Sequence, residues 1–578
     1  MKFGAIFNEQ ISAGKKLRGT LPVDKSESGQ NLKRPLFFIA IFIFGMGILL
    51  ARLFSLTILE GSRLRKLASE NRIREEKITA PRGIIYDRNG VALVRNIPVF
   101  SDVGGNIFYE DKPATPGAQL VESIGREYII GDSASHVIGF IGQTSQKELE
   151  KGEHKLGDLV GKLGIEQSYD SILAGVDGKR LFEVDAIGTK ARVLGQVNPK
   201  PGENIHLSVD SNLQRVARSQ LQGNKGAVIA TNPYTGEVLA LFSSPSFDPN
   251  KLIRGQDLET TLSSPDEPFF NRAISGQYPP GSVFKIITAI AALESRAINK
   301  DTKIEDVGIL QVGKFSFGNW YFNQYGKKEG YLDIVGALRR SNDIFFYKTG
   351  ELTGIETLAG WARKLGVSRI SGIDISGEEM GVMPDPAWIK EMKREDWFLG
   401  NTYHVAIGQG DLLTTPLQVN SWTNVIANGG KLCKPHLALD SSTLKDPCID
   451  LAVKKETLDL VREGMKQACS PGGTGWPLFN FKVKNEKLKI DGMDFLDSPK
   501  STQSGKFVVE IPVACKTGTA EFGDPKGRSH AWFTVFAPVY NPQISVTVIV
   551  EGGGEGSSVA APIAKGILEQ WFGNNIKN

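Results

Sequence analysis

One long apolar segment near the N-terminus constrains the folds that this chain can adopt. Residues 36–51 read LFFIAIFIFGMGILLA, and after Arg52 the run resumes as LFSLTIL. At ~1.5 Å per residue, a helix from Leu36 to Leu59 reaches across the ~30 Å core of a bilayer. The segment is apolar on every face and no small-residue cleavage signal follows, which favours a retained anchor over a buried core helix or a removed signal peptide. We therefore predict a tail at 1–34 and a single transmembrane helix at 35–59.

Basic residues on both sides leave the orientation of this helix open. The positive-inside rule compares lysine and arginine near the two ends of a span, and here the counts are nearly equal. The residues concerned are Lys15, Lys16, Arg18, Lys33 and Arg34 before the span, and Arg63, Arg65, Lys66, Arg72 and Arg74 after it.

The remainder of the 578-residue chain is too long for one hydrophobic core. A composition of 40% hydrophobic and 23% charged residues, with net charge +4, argues against disorder and against a dedicated nucleic-acid binder. Residues 60–220 alternate short apolar runs with glycine-rich loops and include a strand, Asn-Gly turn and strand at 80–100. We predict an extended β-rich domain there, without a catalytic spacing.

Residues 221–574 are predicted to form an α/β (α+β) domain around one antiparallel sheet. Two apolar strands lie at its start, in GAVIATNPYTGEVLALFS, and three more lie between 507 and 553. Helices lie between these strands, and strands at both ends of a segment indicate one sheet covered by helices. A last helix places apolar residues on one face, namely Ile563, Ile567, Leu568 and Trp571.

A serine and a lysine open an apolar helix in PPGSVFKIITAIAALE. Ser282 falls in its first turn and Lys285 three residues later, on the same helix face. A serine hydroxyl is a weak nucleophile until a base takes its proton, and a neutral lysine can be that base. The helix N-terminus adds N–H groups where an oxyanion would form. Two other Ser-x-x-Lys pairs, Ser12/Lys15 and Ser442/Lys445, have no such helix behind them.

Lys-Thr-Gly also occurs twice. The copy at 348–350 lies in a predicted helix, where the lysine would be an ordinary surface residue, while the copy at 516–518 ends the strand run VVEIPVAC. An edge strand offers backbone groups to a substrate peptide, and glycine permits close approach, so we select the second copy. A cationic Lys516 would disfavour protonation of a nearby Lys285.

A third element, RRSNDIFFY, places Ser341 and Asp343 before a helix. Alone, these residues read as an N-cap and a first-turn acid. In this order, however, the three elements resemble the signatures Ser-x-x-Lys, Ser-x-Asn and Lys-Thr-Gly of the penicillin-binding protein and serine β-lactamase superfamily. RGIIYDRNGVAL, GIEQSYDSILAG, GIDISGE and IGQGDLLTTPLQ resemble its class B members, over nearly everything after residue 35. YPPGS, and Asp343 in place of asparagine, favour the elongation type (penicillin-binding protein 2-like) over the division type.

The resemblance implies a peptidoglycan D,D-transpeptidase. Ser282 would attack the D-Ala-D-Ala carbonyl of a stem peptide, with Lys285 as base and Ser341 relaying the proton to the departing D-alanine. An amine of a neighbouring stem would then resolve the acyl-enzyme, and β-lactams would acylate the same serine. The N–H groups of Ser282 and Thr519 would form the oxyanion hole. The implied residues are Ser282, Lys285 and Ser341 as catalytic groups, and Asp343, Lys516, Thr517, Gly518 and Thr519 as substrate-binding groups.

The resemblance also implies a setting for the enzyme. The tail would be cytoplasmic and the catalytic domain would lie outside the membrane, above a pedestal at 60–220. A membrane glycosyltransferase of the shape, elongation, division and sporulation (SEDS) type would be a partner, with no cofactor, metal or nucleic acid. Two departures stand out: an ionised Asp343 opposes a neutral Lys285, and the segment from Val99 to His136 is short for an elongation-type head.

Other functions stay open at this stage. A β-lactamase or D,D-carboxypeptidase would hydrolyse the same acyl-enzyme, a receptor would sense β-lactams through stable acylation, and an inactive scaffold would do neither. Among transpeptidases, a division role is the alternative. The four cysteines show no metal-ligand spacing. Cys433 and Cys448 are close enough in sequence to pair in an oxidising compartment, although spacing alone favours two inert thiols.

Overall fold

The apolar N-terminal segment is helical in the structure, a computed structural model that describes residues 33–101, 107–109, 121–150, 152, 155, 157–185, 189–439, 447–484 and 508–573. Residues 35–59 form a continuous span with mean hydropathy 2.5 and no buried surface, long and apolar enough to cross a membrane. This helix covers the residues predicted for the anchor, 35–59, whose insertion in a membrane stays a prediction. Most of the predicted tail, the pairs Ser12/Lys15 and Ser442/Lys445, and parts of the short head at 102–106 and 110–120 lie outside the described residues.

The helices and strands are numbered in chain order. The helices are α1 Lys33–Phe54, α2 Gly61–Arg72, α3 Ser135–Ile138, α4 Gln146–Glu150, α5 Gly164–Ser168, α6 Asp170–Leu173, α7 Ser211–Leu221, α8 Pro249–Ile253, α9 Leu258–Leu262, α10 Lys285–Glu294, α11 Trp320–Tyr325, α12 Ile334–Arg340, α13 Asp343–Thr353, α14 Ile355–Lys364, α15 Pro386–Met392, α16 Leu399–Ala406, α17 Pro416–Ala427, α18 Lys455–Ala468 and α19 Ala561–Gly573. The strands are β1 Ile73–Ile78, β2 Ile85–Tyr86, β3 Ala92–Ser101, β4 Ile107–Phe108, β5 Val121–Tyr128, β6 Ile141–Gln143, β7 Leu159–Gly161, β8 Gly178–Val184, β9 Lys190–Val197, β10 Ile205–His206, β11 Gly226–Thr231, β12 Val238–Ser244, β13 Ile304–Asp306, β14 Ile309–Val312, β15 Phe315–Gly318, β16 Gly330–Leu332, β17 Lys431–Cys433, β18 Cys448–Asp450, β19 Lys482–Lys484, β20 Val508–Glu510, β21 Ala514–Glu521, β22 Ser529–Ala537 and β23 Ile544–Val550.

The chain divides into two units. The first comprises the residues up to Glu76 together with Arg180–Gly195, and the second comprises Lys77–Lys179 and the residues from Gln196 onward. In the first unit, α1 continues through a π-helical turn into α2, and a three-stranded sheet has the order β1-β8-β9.

The predicted hairpin at 80–100 is present in the second unit. Strands β2 and β3 pair antiparallel, and Gly90 takes a positive φ of 78° in the turn between them. The motifs RGIIYDRNGVAL and GIEQSYDSILAG are in contact next to this hairpin. Arg82 of the first donates to Glu166 at 2.8 Å and to Asp170 at 2.7 Å in the second. These buried charges are paired, as burial requires. The β-rich character expected of this region is confirmed.

The C-terminal part of the second unit contains the predicted antiparallel sheet. Its order, β12-β11-β23-β22-β21, joins strands from both ends of the domain. Strands β11 and β23 are buried at every position, because helices cover both faces of the sheet. Helices α7 and α19 pack on one face, while α10 and α17 lie in the core on the other. The α/β fold class is confirmed, and β21 is left as an edge strand.

Candidate active site

Ser282 lies in a tight turn that leads into an apolar helix. A 3-10 turn, Gly281–Phe284, precedes α10, so the α-helix begins at Lys285 and not at Ser282. Gly281 has a φ of +55°, and a side chain there would lie 2.9 Å from the Thr519 carbonyl oxygen. Ser282 is half-buried while the rest of the turn is buried. The turn is therefore pressed against β21, with Ser282 as its most accessible residue.

Two contacts hold this turn from behind. The Gly281 N–H donates to the Gly408 carbonyl at 2.8 Å, and the Trp532 indole N–H donates to the Pro279 carbonyl at 3.0 Å. Gly408 itself has a φ of +78°, and a Cβ there would lie 2.1 Å from the Gly281 carbonyl oxygen. Only glycine fits such a close approach of two backbone segments.

Lys285 is fully buried and faces the Ser341–Asp343 segment. Its Nζ donates to the Ser341 carbonyl and to Asp343 Oδ1, each at 2.7 Å, and lies 3.4 Å from Ser341 Oγ. Burial lowers the pKa of Lys285, and the Asp343 carboxylate opposes that shift. The sequence predicted that an ionised Asp343 would oppose a neutral Lys285. In the structure the two side chains form a direct ion pair, which favours the charged form of Lys285.

The Ser341–Asp343 segment joins α12 to α13. Ser341 takes a left-handed conformation with φ of 54°, and Asn342, not Ser341, caps α13 by accepting from the Phe345 N–H. The N-cap interpretation of Ser341 is therefore wrong, and the Ser341 hydroxyl is left to face the two lysines. Asp343 Oδ2 accepts from the Trp320 N–H at 2.8 Å, which fixes its carboxylate.

Sequence reasoning missed a buried polar network behind this segment. The Asn342 amide donates to Asp306 at 3.0 Å and to Glu329 at 2.9 Å, and the Asn319 amide donates to the same Asp306 carboxylate at 2.9 Å. These partners lie 13 to 36 residues from Asn342 in no recognisable spacing, so no sequence signal marks them. The network rigidifies the turn that presents Ser341.

Lys516 reaches the same hydroxyl from the edge strand. It is fully buried, and its Nζ donates to Ser341 Oγ at 2.7 Å and to the Thr517 carbonyl at 3.1 Å. Burial, followed by the charge of Lys285, lowers the pKa of Lys516 well below its usual value. This shift opposes the cationic form of Lys516 expected from the sequence, and the charge of Lys516 stays a prediction.

The residues after Lys516 continue along the free edge of β21. The Thr517 hydroxyl is 2.8 Å from the Thr474 hydroxyl, and Thr519 is exposed. A Cβ on Gly518 would lie 2.9 Å from Trp532 Cβ and 3.2 Å from the Pro280 carbonyl, so this glycine lets the strand approach the serine turn. The segments around positions 282, 341 and 516 thus converge.

All four cysteines form disulfides. Cys433 and Cys448 are directly opposite each other in the β17–β18 pair, so the inert-thiol interpretation is wrong. Cys469 and Cys515 also pair, 46 residues apart, a disulfide that the cysteine spacing did not predict. The second bond fastens the end of α18 to the residue before Lys516.

The other Lys-Thr-Gly copy lies elsewhere. Lys348 is inside α13 and pairs with Glu351 at 2.9 Å, as an ordinary surface residue does. Within the described ranges, no group of three or more histidine, cysteine or acidic side chains is arranged to hold a metal ion.

Comparisons with known proteins agree with this architecture. Residues 226–569 match the penicillin binding protein transpeptidase domain, and residues 106–207 match the penicillin-binding protein dimerisation domain. Peptidoglycan D,D-transpeptidase MrdA of Acinetobacter baumannii is 31% identical over 618 residues, covering 94% of this chain and 88% of that protein.

Solved structures agree as well. PBP2 in its complex with MreC from Helicobacter pylori is 28% identical, with a TM-score of 0.71, covering 86% of this chain and 98% of that one. A chain of a peptidoglycan synthase complex, described for its coordination of polymerization and crosslinking, is 26% identical with a TM-score of 0.71, covering 95% and 99%. The chain therefore belongs to the penicillin-binding protein transpeptidase family, and its match to the dimerisation domain precedes its match to the transpeptidase domain.

Proposed function

We propose that this chain is a membrane-anchored peptidoglycan D,D-transpeptidase of cell-wall elongation in which Ser282 is the nucleophile. One observation carries the proposal: Lys285, three residues after Ser282, and Lys516 on the edge strand both reach the Ser341 hydroxyl, at 3.4 and 2.7 Å. Three segments far apart in sequence thus supply a nucleophile, two amines and a relay hydroxyl within one site.

The chemistry follows from these groups. Ser282 Oγ attacks the carbonyl of the penultimate D-alanine as neutral Lys285 accepts its proton. The N–H groups of Ser282 and Thr519 bind the developing oxyanion, since one lies in the serine turn and the other on β21 beside Gly281. Ser341 passes its proton to the departing D-alanine nitrogen and regains one from the Lys285 ammonium. An amine from a neighbouring stem then displaces the serine oxygen to form the cross-link, and its proton passes through Lys285 to Ser282 Oγ.

Substrate binding uses the edge strand. Thr517 and Lys516 orient the terminal carboxylate of the donor stem, and Gly518 and Thr519 extend a backbone edge along which the peptide lies. β-Lactams carry an equivalent carboxylate and carbonyl, so they acylate Ser282.

The setting follows from the anchor and the relatives. In this proposal the tail of 1–34 is cytoplasmic, and the pedestal at 60–220 and the catalytic domain of 221–574 lie outside the membrane; the apolar helix at 35–59 supports a single membrane anchor. The structural likeness to PBP2 bound to MreC and to a peptidoglycan synthase complex supports two partners, an MreC-type protein and a SEDS-type glycosyltransferase.

Cross-linking assays test the proposal. We expect the full-length protein in detergent, given uncross-linked glycan with D-Ala-D-Ala stems, to release D-alanine and form cross-links. Ser282→Ala should abolish both, while Ser442→Ala, in another Ser-x-x-Lys pair, should retain both. Cross-linking that survives Ser282→Ala would refute the assignment, and D-alanine release without cross-links would indicate a carboxypeptidase.

A further inference from the structure

Two buried lysines share one hydroxyl group in this site. Lys285 and Lys516 are both 0% exposed, and Ser341 Oγ lies 3.4 Å from the first amine and 2.7 Å from the second. A buried ammonium needs a compensating charge, so the position of carboxylates decides which amine carries a proton.

Only one of the two amines has a carboxylate partner in the described part of the chain. Asp343 Oδ1 is 2.7 Å from Lys285 Nζ, whereas Lys516 Nζ contacts a hydroxyl and the Thr517 carbonyl. Neutral Lys285 would leave the Asp343 carboxylate buried without its cation. A neutral Lys516 loses nothing comparable, because it can accept from the Ser341 hydroxyl across the same 2.7 Å.

We propose that Asp343 keeps the proton on Lys285 in the free enzyme, and that the carboxylate of a bound substrate draws a proton through Ser341 onto Lys516, which frees Lys285 to act as the base. Asp343 is then a positioning residue for a proton and not a contact to the peptide. This inference rests on the proposed function, because it needs a substrate carboxylate beside Lys516.

The transfer conserves every proton. An N–H bond of the Lys285 ammonium breaks and an O–H bond forms at Ser341, whose original O–H bond breaks as an N–H bond forms at Lys516. Lys285 becomes a neutral amine, Lys516 becomes an ammonium paired with the substrate carboxylate, and Ser341 is unchanged. The lone pair of Lys285 can then accept the Ser282 proton.

The surrounding charges are consistent with this direction. Burial and then the Lys285 charge lower the pKa of Lys516 well below its usual value, with Asp343 opposing this shift. Burial also lowers the pKa of Lys285, and there Asp343, in direct contact, and then Glu329 oppose it. Glu329 is itself paired with Arg340, so Asp343 is the carboxylate in direct contact.

The arrangement makes reactivity depend on the substrate carboxylate. Without it, Lys285 stays protonated and Ser282 stays a weak nucleophile, so uncharged acyl donors are rejected kinetically and not only through weaker binding.

Acylation rates measured against pH test this route. Full-length protein in detergent is mixed with benzylpenicillin or its uncharged methyl ester, and the adduct is followed by intact-protein mass spectrometry. We expect the ester rate to rise about tenfold per pH unit through neutrality, as expected for a base that must first lose a proton. The benzylpenicillin profile should reach its plateau about one pH unit or more lower.

The Asp343→Asn variant should raise the ester rate near neutrality by about tenfold and move its profile to lower pH, because the carboxylate no longer holds the proton. Asp396→Asn, which removes an exposed carboxylate paired with Lys390, should change neither profile.

Coincident profiles for the two probes in the wild type would overturn the route even if Asp343→Asn failed to fold. Equal slowing of both probes in Asp343→Asn would also overturn it, since that result indicates a merely structural role. Acylation that does not depend on Ser282 would instead refute the proposed function, and the proton route with it.

Discussion

Replacing Gly408 by alanine should slow acylation by displacing the turn that carries Ser282. Gly408 touches no substrate group in the proposed mechanism, but it packs its backbone against Gly281, the residue before Ser282. The added Cβ would lie 2.1 Å from the Gly281 carbonyl oxygen, where real contacts are rarely below 3 Å.

The size of the effect on the acylation rate follows from the steric overlap between the added Cβ and the Gly281 carbonyl oxygen. The serine turn must retreat by roughly 1 Å, and misplacing a reacting group by about 1 Å can lower a rate about a hundredfold. Alanine at a left-handed position costs an additional ~1–2 kcal/mol of stability, whatever surrounds it.

Gly429→Ala provides the matched control. Gly429 also has a positive φ, +85°, but an added Cβ there would meet nothing within 4 Å. Both variants should lose stability by thermal unfolding, and only Gly408→Ala should lose about two orders of magnitude in the second-order rate of acylation by fluorescent penicillin. Equal acylation by the two variants would refute the claim that Gly408 positions Ser282.

Two other predictions concern stability. Replacing Cys469 and Cys515 by serine should lower the free energy of unfolding, measured with denaturant, by about 4 kcal/mol, as expected for a loop of this length. The double variant should also be acylated more slowly, because Lys516 follows Cys515. An unchanged acylation rate would show that the disulfide does not position Lys516. His136 is buried with its ring nitrogen 2.9 Å from the Pro268 carbonyl, and burial lowers its pKa from 6.5 to about 4. The folded state therefore favours the neutral imidazole of His136. The contribution of this group to the free energy of unfolding is complete above pH 6.5 and is lost as the pH falls toward 4. His136→Gln should flatten the fall in melting temperature over this window, and an equal fall in both proteins would contradict the assignment.

Much of the fold could be predicted from the sequence because its signals are local. The strands β11, β22 and β23 are rich in apolar residues, which is typical of strands covered on both sides. The hairpin at 80–100 follows from its Asn-Gly turn, and the apolar helix at 35–59 follows from hydropathy alone.

The candidate site was predictable only in part. Ser282, Lys285, Ser341 and Lys516 belong to short motifs, and context separated the Ser-x-x-Lys and Lys-Thr-Gly motifs from their other copies in the chain. The different partners of the two lysines could not be predicted, since they depend on contacts between residues 58 and 175 positions apart in sequence.

The residues that hold the catalytic segments in place could not be recognised from the sequence. Asp306 and Glu329 contact Asn342 across separations of 36 and 13 residues, and this spacing matches no known pattern. Cys469 and Cys515 pair because α18 ends beside β21, a consequence of tertiary packing that no cysteine spacing reveals.

Locating the covalent adduct tests the central claim most directly. Full-length protein is treated with benzylpenicillin, digested with a protease, and its peptides are sequenced by tandem mass spectrometry. We predict a single modified peptide with the penicilloyl mass on the serine at position 282. An adduct on any other residue, with that serine unmodified, would contradict the account.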